Sequence, residues 1–241
     1  LQAGGPVKIC LFGSSTCEGV GASSVENGLC PVVERTLAPY MPEGVTVINR
    51  GVGGNGAVEM HARLARVMED RADLVLWQGG SNDVWQEISV GSFIDLTRSD
   101  LETLRRQGCD LGMIGPQWCR LLEEQPRFPA FRDAVPALAI EMGIPFFDRY
   151  HRMKAWGAEY GMTRDGLSPD GGHMGDAGYR LLGEAVARWI MDLWGDLSGV
   201  SVKGSRGGKW IPASSRTFMK RARVISARSD VTPALRYSRR R

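Results

Sequence analysis

Histidine is scarce in this chain. Three residues in 241 exclude any reading built on a histidine-rich metal site. Cysteine numbers five, with no CxxC pair and no Cys/His cluster, so neither a zinc ribbon nor a dense disulfide framework is encoded. Cys10 and Cys109 fall in strand-like runs and read as small buried hydrophobes. Cys17, Cys30 and Cys119 would pair only in an oxidising compartment. No apolar run reaches the roughly 18 residues of a membrane span, and no internal repeat is present. No secretory apolar segment is legible at the N-terminus, so cytoplasmic, periplasmic and secreted locations all stay open.

What is there is globular: 43% hydrophobic and 24% charged residues argue against a disordered or collagen-like chain. The length suits one large domain with an appendage. The net charge of +3 hides an asymmetry. Residues 201–241 hold twelve Lys or Arg and one acid, a balance of +11, which leaves residues 1–200 at −8. We read an acidic domain over 1–200 and a basic extension over 201–241. The clusters Lys220-Arg221-Ala222-Arg223 and Arg239-Arg240-Arg241 suit contact with an acidic surface or another subunit. No helix-turn-helix or zinc pattern accompanies them, so no nucleic-acid partner is expected.

Apolar runs alternate with helical periods. Strands are expected at Val7–Phe12, Val45–Asn49, Leu74–Gln78, Leu111–Ile114 and from Pro145 to Phe147. Helices are expected at Ser24–Tyr40 (Ser24 as N-cap), Ala57–Arg71, Phe93–Gln107, Phe128–Met142 and Asp176–Trp194. Such alternation predicts an α/β fold with a doubly wound parallel sheet covered on both faces. Ligands in these sheets sit at the carboxyl ends of the strands, so the residues after each strand matter most. They are Gly13-Ser14-Ser15-Thr16 after the first strand, Arg50 to Gly56 after the second, and Gly79-Gly80-Ser81-Asn82-Asp83 after the third.

Several of these residues can carry chemistry. Ser15 sits in a glycine-flanked turn and would need a base to act as a nucleophile. His151 and His173 each have an Asp three residues earlier, Asp148 and Asp170, close enough to orient an imidazole. His61 lies within a helical segment and reads as a surface histidine. Gly54 offers an unobstructed backbone N–H and Asn82 a side-chain amide, the donor types that stabilise an oxyanion. Each signal also fits plain turn chemistry.

Together and in order, Gly13-Ser14-Ser15, Gly54, Gly80-Ser81-Asn82-Asp83 and Asp170-Gly171-Gly172-His173 resemble the four blocks of the SGNH (GDSL-type) hydrolases, over about residues 7–195. His173-Met174 followed by Asp176-Ala177-Gly178-Tyr179 is similar to the family's last block, which favours His173 over His151. The resemblance implies a flavodoxin-like fold with five parallel strands and no metal or organic cofactor. It implies Ser15 as nucleophile, His173 as base, Asp170 as its orienting acid, and the Ser15 N–H, Gly54 N–H and Asn82 amide as oxyanion donors. The expected substrate is a small carboxylic ester, a short-chain acyl or O-acetyl group. A carbohydrate O-acetyl esterase, a lysophospholipase or a thioesterase of the same family are the alternatives. Trp77, Trp85 and Trp118 flank the blocks as substrate-binding candidates, and no long lid with an apolar helical face is evident.

Two positions depart from the family pattern. Ser14 stands where Asp is usual, and Cys17 stands where Thr is common. Cys17 also breaks the GxSxG nucleophile elbow of ordinary α/β-hydrolases. Two readings of another class remain. Gly51-Val52-Gly53-Gly54-Asn55-Gly56 satisfies the GxGxxG fingerprint of a dinucleotide-binding oxidoreductase, although no ribose-binding acid ends the next strand. A non-catalytic binding protein is the other.

Overall fold

A computed structural model describes residues 6–198, so the basic extension at 201–241 lies outside the described residues. Five strands form one sheet: β1 (Val7–Gly13), β2 (Val45–Gly51), β3 (Leu74–Gln78), β4 (Asp110–Ile114) and β5 (Phe146–Phe147). All neighbours pair in parallel, in the order β2-β1-β3-β4-β5. This is the flavodoxin-like doubly wound order, whose switch point lies between β1 and β3.

The strands are apolar because both faces are covered. Ile9, Cys10, Leu11 and Phe12 of β1 are all fully buried. Successive side chains alternate between faces. Cys10 and Phe12 join Val75, Trp77, Leu111 and Met113 in one core. Ile9 and Leu11 join Leu74, Leu76 and Ile114 in the other.

The helices are α1 (Ser15–Glu18), α2 (Leu29–Leu37), α3 (Ala57–Ala62), α4 (Leu64–Glu69), α5 (Val90–Gln107), α6 (Arg120–Glu123), α7 (Phe128–Met142), α8 (Arg149–Tyr160), α9 (Arg164–Leu167) and α10 (Asp176–Ser198). The first core packs under α3, α4, α5 and α7, the second under α2, α8 and α10.

The five strands fall within a residue or two of the sequence expectation. The helices differ more. The segment expected as one helix from Ser24 to Tyr40 is a 3-10 turn at Val25–Asn27, then α2, then a second 3-10 turn at Ala38–Tyr40. Gly28 separates the first two pieces, and Ser24 makes no side-chain cap. The segment from Ala57 to Arg71 is broken at Arg63, whose φ of −111° and ψ of 12° leave the helical range. The helix α8, wholly unforeseen, follows β5 directly and carries His151. All five cysteines are free; Cys10 is buried as expected, whereas Cys109 precedes β4 and is only half-buried.

β2 is an edge strand, half-exposed along its length. Its Val47 N–H donates to the Glu34 carboxylate of α2 at 2.6 Å. No helix among the described residues is long and apolar enough to cross a membrane.

At its carboxyl end β2 runs against α1. A Cβ at Gly51 would fall on the Glu18 nitrogen, 2.5 Å from the Cys17 carbonyl carbon and 2.7 Å from Glu18 Cα. Backbone cannot give way as a flexible side chain can. Gly51→Ala should therefore cost about 1–3 kcal/mol through overpacking and displace α1. A thermal unfolding midpoint equal to that of the parent would contradict this.

Candidate active site

β1 turns directly into α1. Ser15 is the first residue of that helix and half-buried, between buried Ser14 and Thr16. Its N–H is among those that a helix leaves without an internal partner, and it meets no acceptor among the described residues. The Ser14 N–H donates to the Gln78 side-chain carbonyl at 3.4 Å, from the end of β3.

The second loop folds over α1. The Glu18 carboxylate accepts the Gly53 N–H at 2.5 Å, and a Cβ at Gly53 would lie 3.9 Å from Ser15 Cβ. Gly54 has φ of +76°, a left-handed conformation that glycine adopts without strain. Its Cβ position opens onto free space, and its N–H has no acceptor among the described residues.

The third loop meets the second. Asn82 is half-buried and opens a 3-10 turn to Val84. One of its amide hydrogens donates to the Asn55 carbonyl at 2.9 Å, and an amide carries two. Asp83 beside it is buried; its carboxylate accepts the Ala57 N–H at 2.7 Å and the Gly80 N–H at 3.2 Å. Burial nevertheless pushes the Asp83 pKa above the ordinary carboxylate value.

The fourth element is the Asp170–His173 turn. One Asp170 oxygen accepts the Gly172 N–H at 2.7 Å and the His173 N–H at 2.5 Å, and the other meets His173 Nδ1 at 2.7 Å. Partial burial opposes the carboxylate charge. These hydrogen bonds outweigh it and hold Asp170 below the usual range. The turn packs on the loop that leaves Ser15: a Cβ at Gly21 would lie 3.1 Å from His173 Cβ. The Tyr179 hydroxyl donates to the Val20 carbonyl at 2.7 Å. No hydrogen bond joins the Ser15 hydroxyl to the His173 ring among the described residues.

All three histidines pair with an aspartate through Nδ1: His61 with Asp100 at 2.6 Å, His151 with Asp148 at 2.8 Å, and His173 with Asp170. The pairing therefore does not discriminate; position does. His61 bridges α3 to α5, and His151 projects from the first turn of α8 with its side chain 71% exposed. Of the three, it is the His173 turn that packs against the loop leaving Ser15.

The tryptophans separate. Trp77 is a core residue, 1% exposed, with its ring 6.2 Å from that of Phe93, which removes it from the substrate-binding candidates. Trp118 is half-buried, donates its indole N–H to Glu123 at 3.0 Å and lies under the Lys154 ammonium. Trp85 is 49% exposed, immediately beyond the Asn82 turn. Its loop is fixed by Arg127, which donates to the carbonyls of Val84, Gln86 and Ile88.

The glycine loop Gly51–Gly56 has no cradle for a pyrophosphate. Its N–H groups at Gly53 and Gly56 go to Glu18 and Glu59, and the Ala57 N–H goes to Asp83. Three carboxylates occupy the place where a dinucleotide needs open donors.

Sequence reasoning missed three arginines that knit these loops: Arg63, Arg127 and Arg149. Arg63 donates to the Gly13 carbonyl at 2.5 Å, the Arg50 carbonyl at 2.7 Å and the Asn55 side chain at 2.7 Å, with its guanidinium 4.8 Å from the Phe12 ring centre. Arg63 stands at helical spacing from Met60 and Val67 in the sequence, and Arg149 at helical spacing from Met153 and Trp156, which was the legible signal.

A model of the non-GDSL lipase-like family matches residues 1–194. The chain belongs to this family. The name agrees with Gly13-Ser14-Ser15, where Gly-Asp-Ser would be the SGNH pattern. Among solved structures, a lipase/acylhydrolase from Enterococcus faecalis is similar, with 24% identity, TM-score 0.65, and cover of 83% of this chain and 100% of that one. So is an acetylxylan esterase from Geobacillus stearothermophilus, with 21% identity, TM-score 0.66, and cover of 79% and 96%. No curated protein matches the sequence. The family and the shared fold place this non-GDSL lipase-like protein among the SGNH-type hydrolases.

Arg63→Lys keeps the charge but loses the planar fork that reaches three acceptors. It should cost about 1.5–3 kcal/mol, the scale of charged hydrogen bonds. Amide exchange at residues 52–56 should accelerate with it; unchanged exchange there would show that the loop is held by other means.

Proposed function

We propose that the protein hydrolyses small carboxylic esters, short-chain acyl or O-acetyl, through an acyl-enzyme on Ser15. The observation that carries the reading is the Asp170–His173 pair seated on the loop that leaves Ser15. His173 Nε2 takes the Ser15 hydroxyl proton as Ser15 Oγ attacks the ester carbonyl carbon. The carbonyl π electrons move to oxygen, and the Ser15 N–H, the Gly54 N–H and the second Asn82 amide hydrogen stabilise that oxyanion. The tetrahedral species collapses, the alkoxide leaves, and it takes the proton from His173. Water repeats the sequence on the acyl-enzyme and releases the acid. Asp170 holds the imidazole tautomer and stabilises the imidazolium. The bond from Ser15 to His173 belongs to the Michaelis complex, where such contacts tighten.

The solved relatives named for acetylxylan esterase and lipase/acylhydrolase activity support ester substrates. Trp85 favours the O-acetylated carbohydrate within that class, because an exposed indole face suits the apolar face of a sugar ring. Trp118 is engaged by Glu123 and Lys154 and contributes a wall.

Turnover of p-nitrophenyl acetate and butyrate tests the reading. Ser15→Ala and His173→Ala should each lose nearly all activity and stay folded. Asn82→Ala should lose about 10²–10³ in kcat, as loss of one oxyanion donor does. His151→Ala should retain activity. Normal turnover by Ser15→Ala would sink the assignment, and a dead His151→Ala beside a live His173→Ala would move the base.

A further inference from the structure

Arg149, the first residue of α8, is 0% exposed. It forms no ion pair with a carboxylate among the described residues, and its Nε has no hydrogen-bond partner among them. Its remaining nitrogens donate to neutral groups. Nη1 reaches Thr16 Oγ1 at 3.1 Å; Nη2 reaches Gln117 Oε1 at 2.6 Å and Met174 Sδ at 2.9 Å. Taking a charge out of water without a counter-ion is costly. Burial lowers the Arg149 pKa to about 10, which still leaves it protonated at neutral pH.

The partners explain why the cost is borne. Thr16 follows Ser15, and Met174 follows His173. Gln117, beyond β4, extends the link: its Nε2 donates to the Gly172 carbonyl, in the turn between Asp170 and His173. A single planar cation from the end of β5 therefore touches the helix that starts at Ser15 and the residue after His173, and reaches the intervening turn through Gln117. An ammonium, being a point charge, cannot span three acceptors in one plane.

We propose that Arg149 is the positioning residue of this site, its guanidinium fixing the α1 helix against the His173 turn. The proposal rests on the reading of Ser15 and His173 as nucleophile and base. Arg149 touches no reacting atom. It acts through Thr16, Met174 and Gln117, and its effect falls on the distance between the two groups that exchange a proton.

The test compares the parent with Arg149→Met, Arg149→Lys, Gln117→Met and the double Arg149→Met/Gln117→Met. It measures kcat and KM on p-nitrophenyl acetate, the thermal midpoint, and the rate of Ser15 labelling by a fluorophosphonate. Arg149→Met should lower kcat about 10²-fold, the scale of a misplacement near 1 Å, with KM changed by less than about threefold. Its thermal midpoint should be unchanged or higher, because an apolar side chain of similar volume replaces a buried charge. Arg149→Lys should recover part of the lost kcat. Gln117→Met should lower kcat, and the double variant should be no worse than Arg149→Met alone, since both act through one unit.

Full kcat in Arg149→Met would overturn the proposal. So would losses that multiply in the double variant. So would an equal kcat loss in Leu138→Ala, a variant of the buried core on α7, because any core perturbation would then suffice. If Arg149→Met does not fold, Gln117→Met decides, and full kcat in it overturns the positioning role. A parent protein that neither turns over ester nor labels would fail the hydrolase reading and the proposal with it. Parent turnover that Arg149→Met retains would overturn the positioning role alone.

Discussion

The end of β2 passes so close to the first turn of α1 that no side chain fits between them, and Gly51 is the residue at the crossing. Ser15 lies on one side of that contact and the Val52–Gly56 loop on the other. The loop is then fixed from above by Glu18, from below by Arg63, and laterally by the Asn82 amide on the Asn55 carbonyl. The geometry around Ser15 is thus tied to the packing of β2 against α1 at the carboxyl edge of the sheet, and the side chains refine it.

The electrostatics beneath that edge run against the usual pattern of a buried charge and its counter-charge. Ser14, where an acid stands in the related pattern, brings no charge; besides the buried Asp83 carboxyl, the neighbourhood holds a fully buried cation, Arg149. Its donors all end on neutral oxygen or sulfur. The acids are at the rim: Glu18, Glu59 and Asp170 each hold backbone N–H groups.

The strands and the four short blocks were legible because their signals are local. A both-faces-buried strand must be apolar throughout, and a turn that admits a nucleophile or a donor needs small residues at fixed offsets. The helices were less legible where a single residue overrides periodicity. Arg63 breaks the expected Ala57–Arg71 helix because its guanidinium is committed to three acceptors outside it. Arg149 was hidden because β5 is two residues long and α8 begins at once, leaving no loop to announce a boundary. Trp77 belongs to the core because alternation along β3 turns it toward Phe93. The choice of His173 over His151 could not be made on Asp spacing, since both have an aspartate three residues earlier.

The Glu34 carboxylate accepts the Val47 N–H on the open side of the edge strand β2. An edge strand displays a row of hydrogen-bonding groups to which another chain can add itself as a further strand. Here α2 supplies an anionic acceptor at the middle of β2. A strand arriving at that edge would have to displace a carboxylate and desolvate its charge to find a donor already engaged. The same helix that covers one face of the sheet thereby occupies a donor at its border.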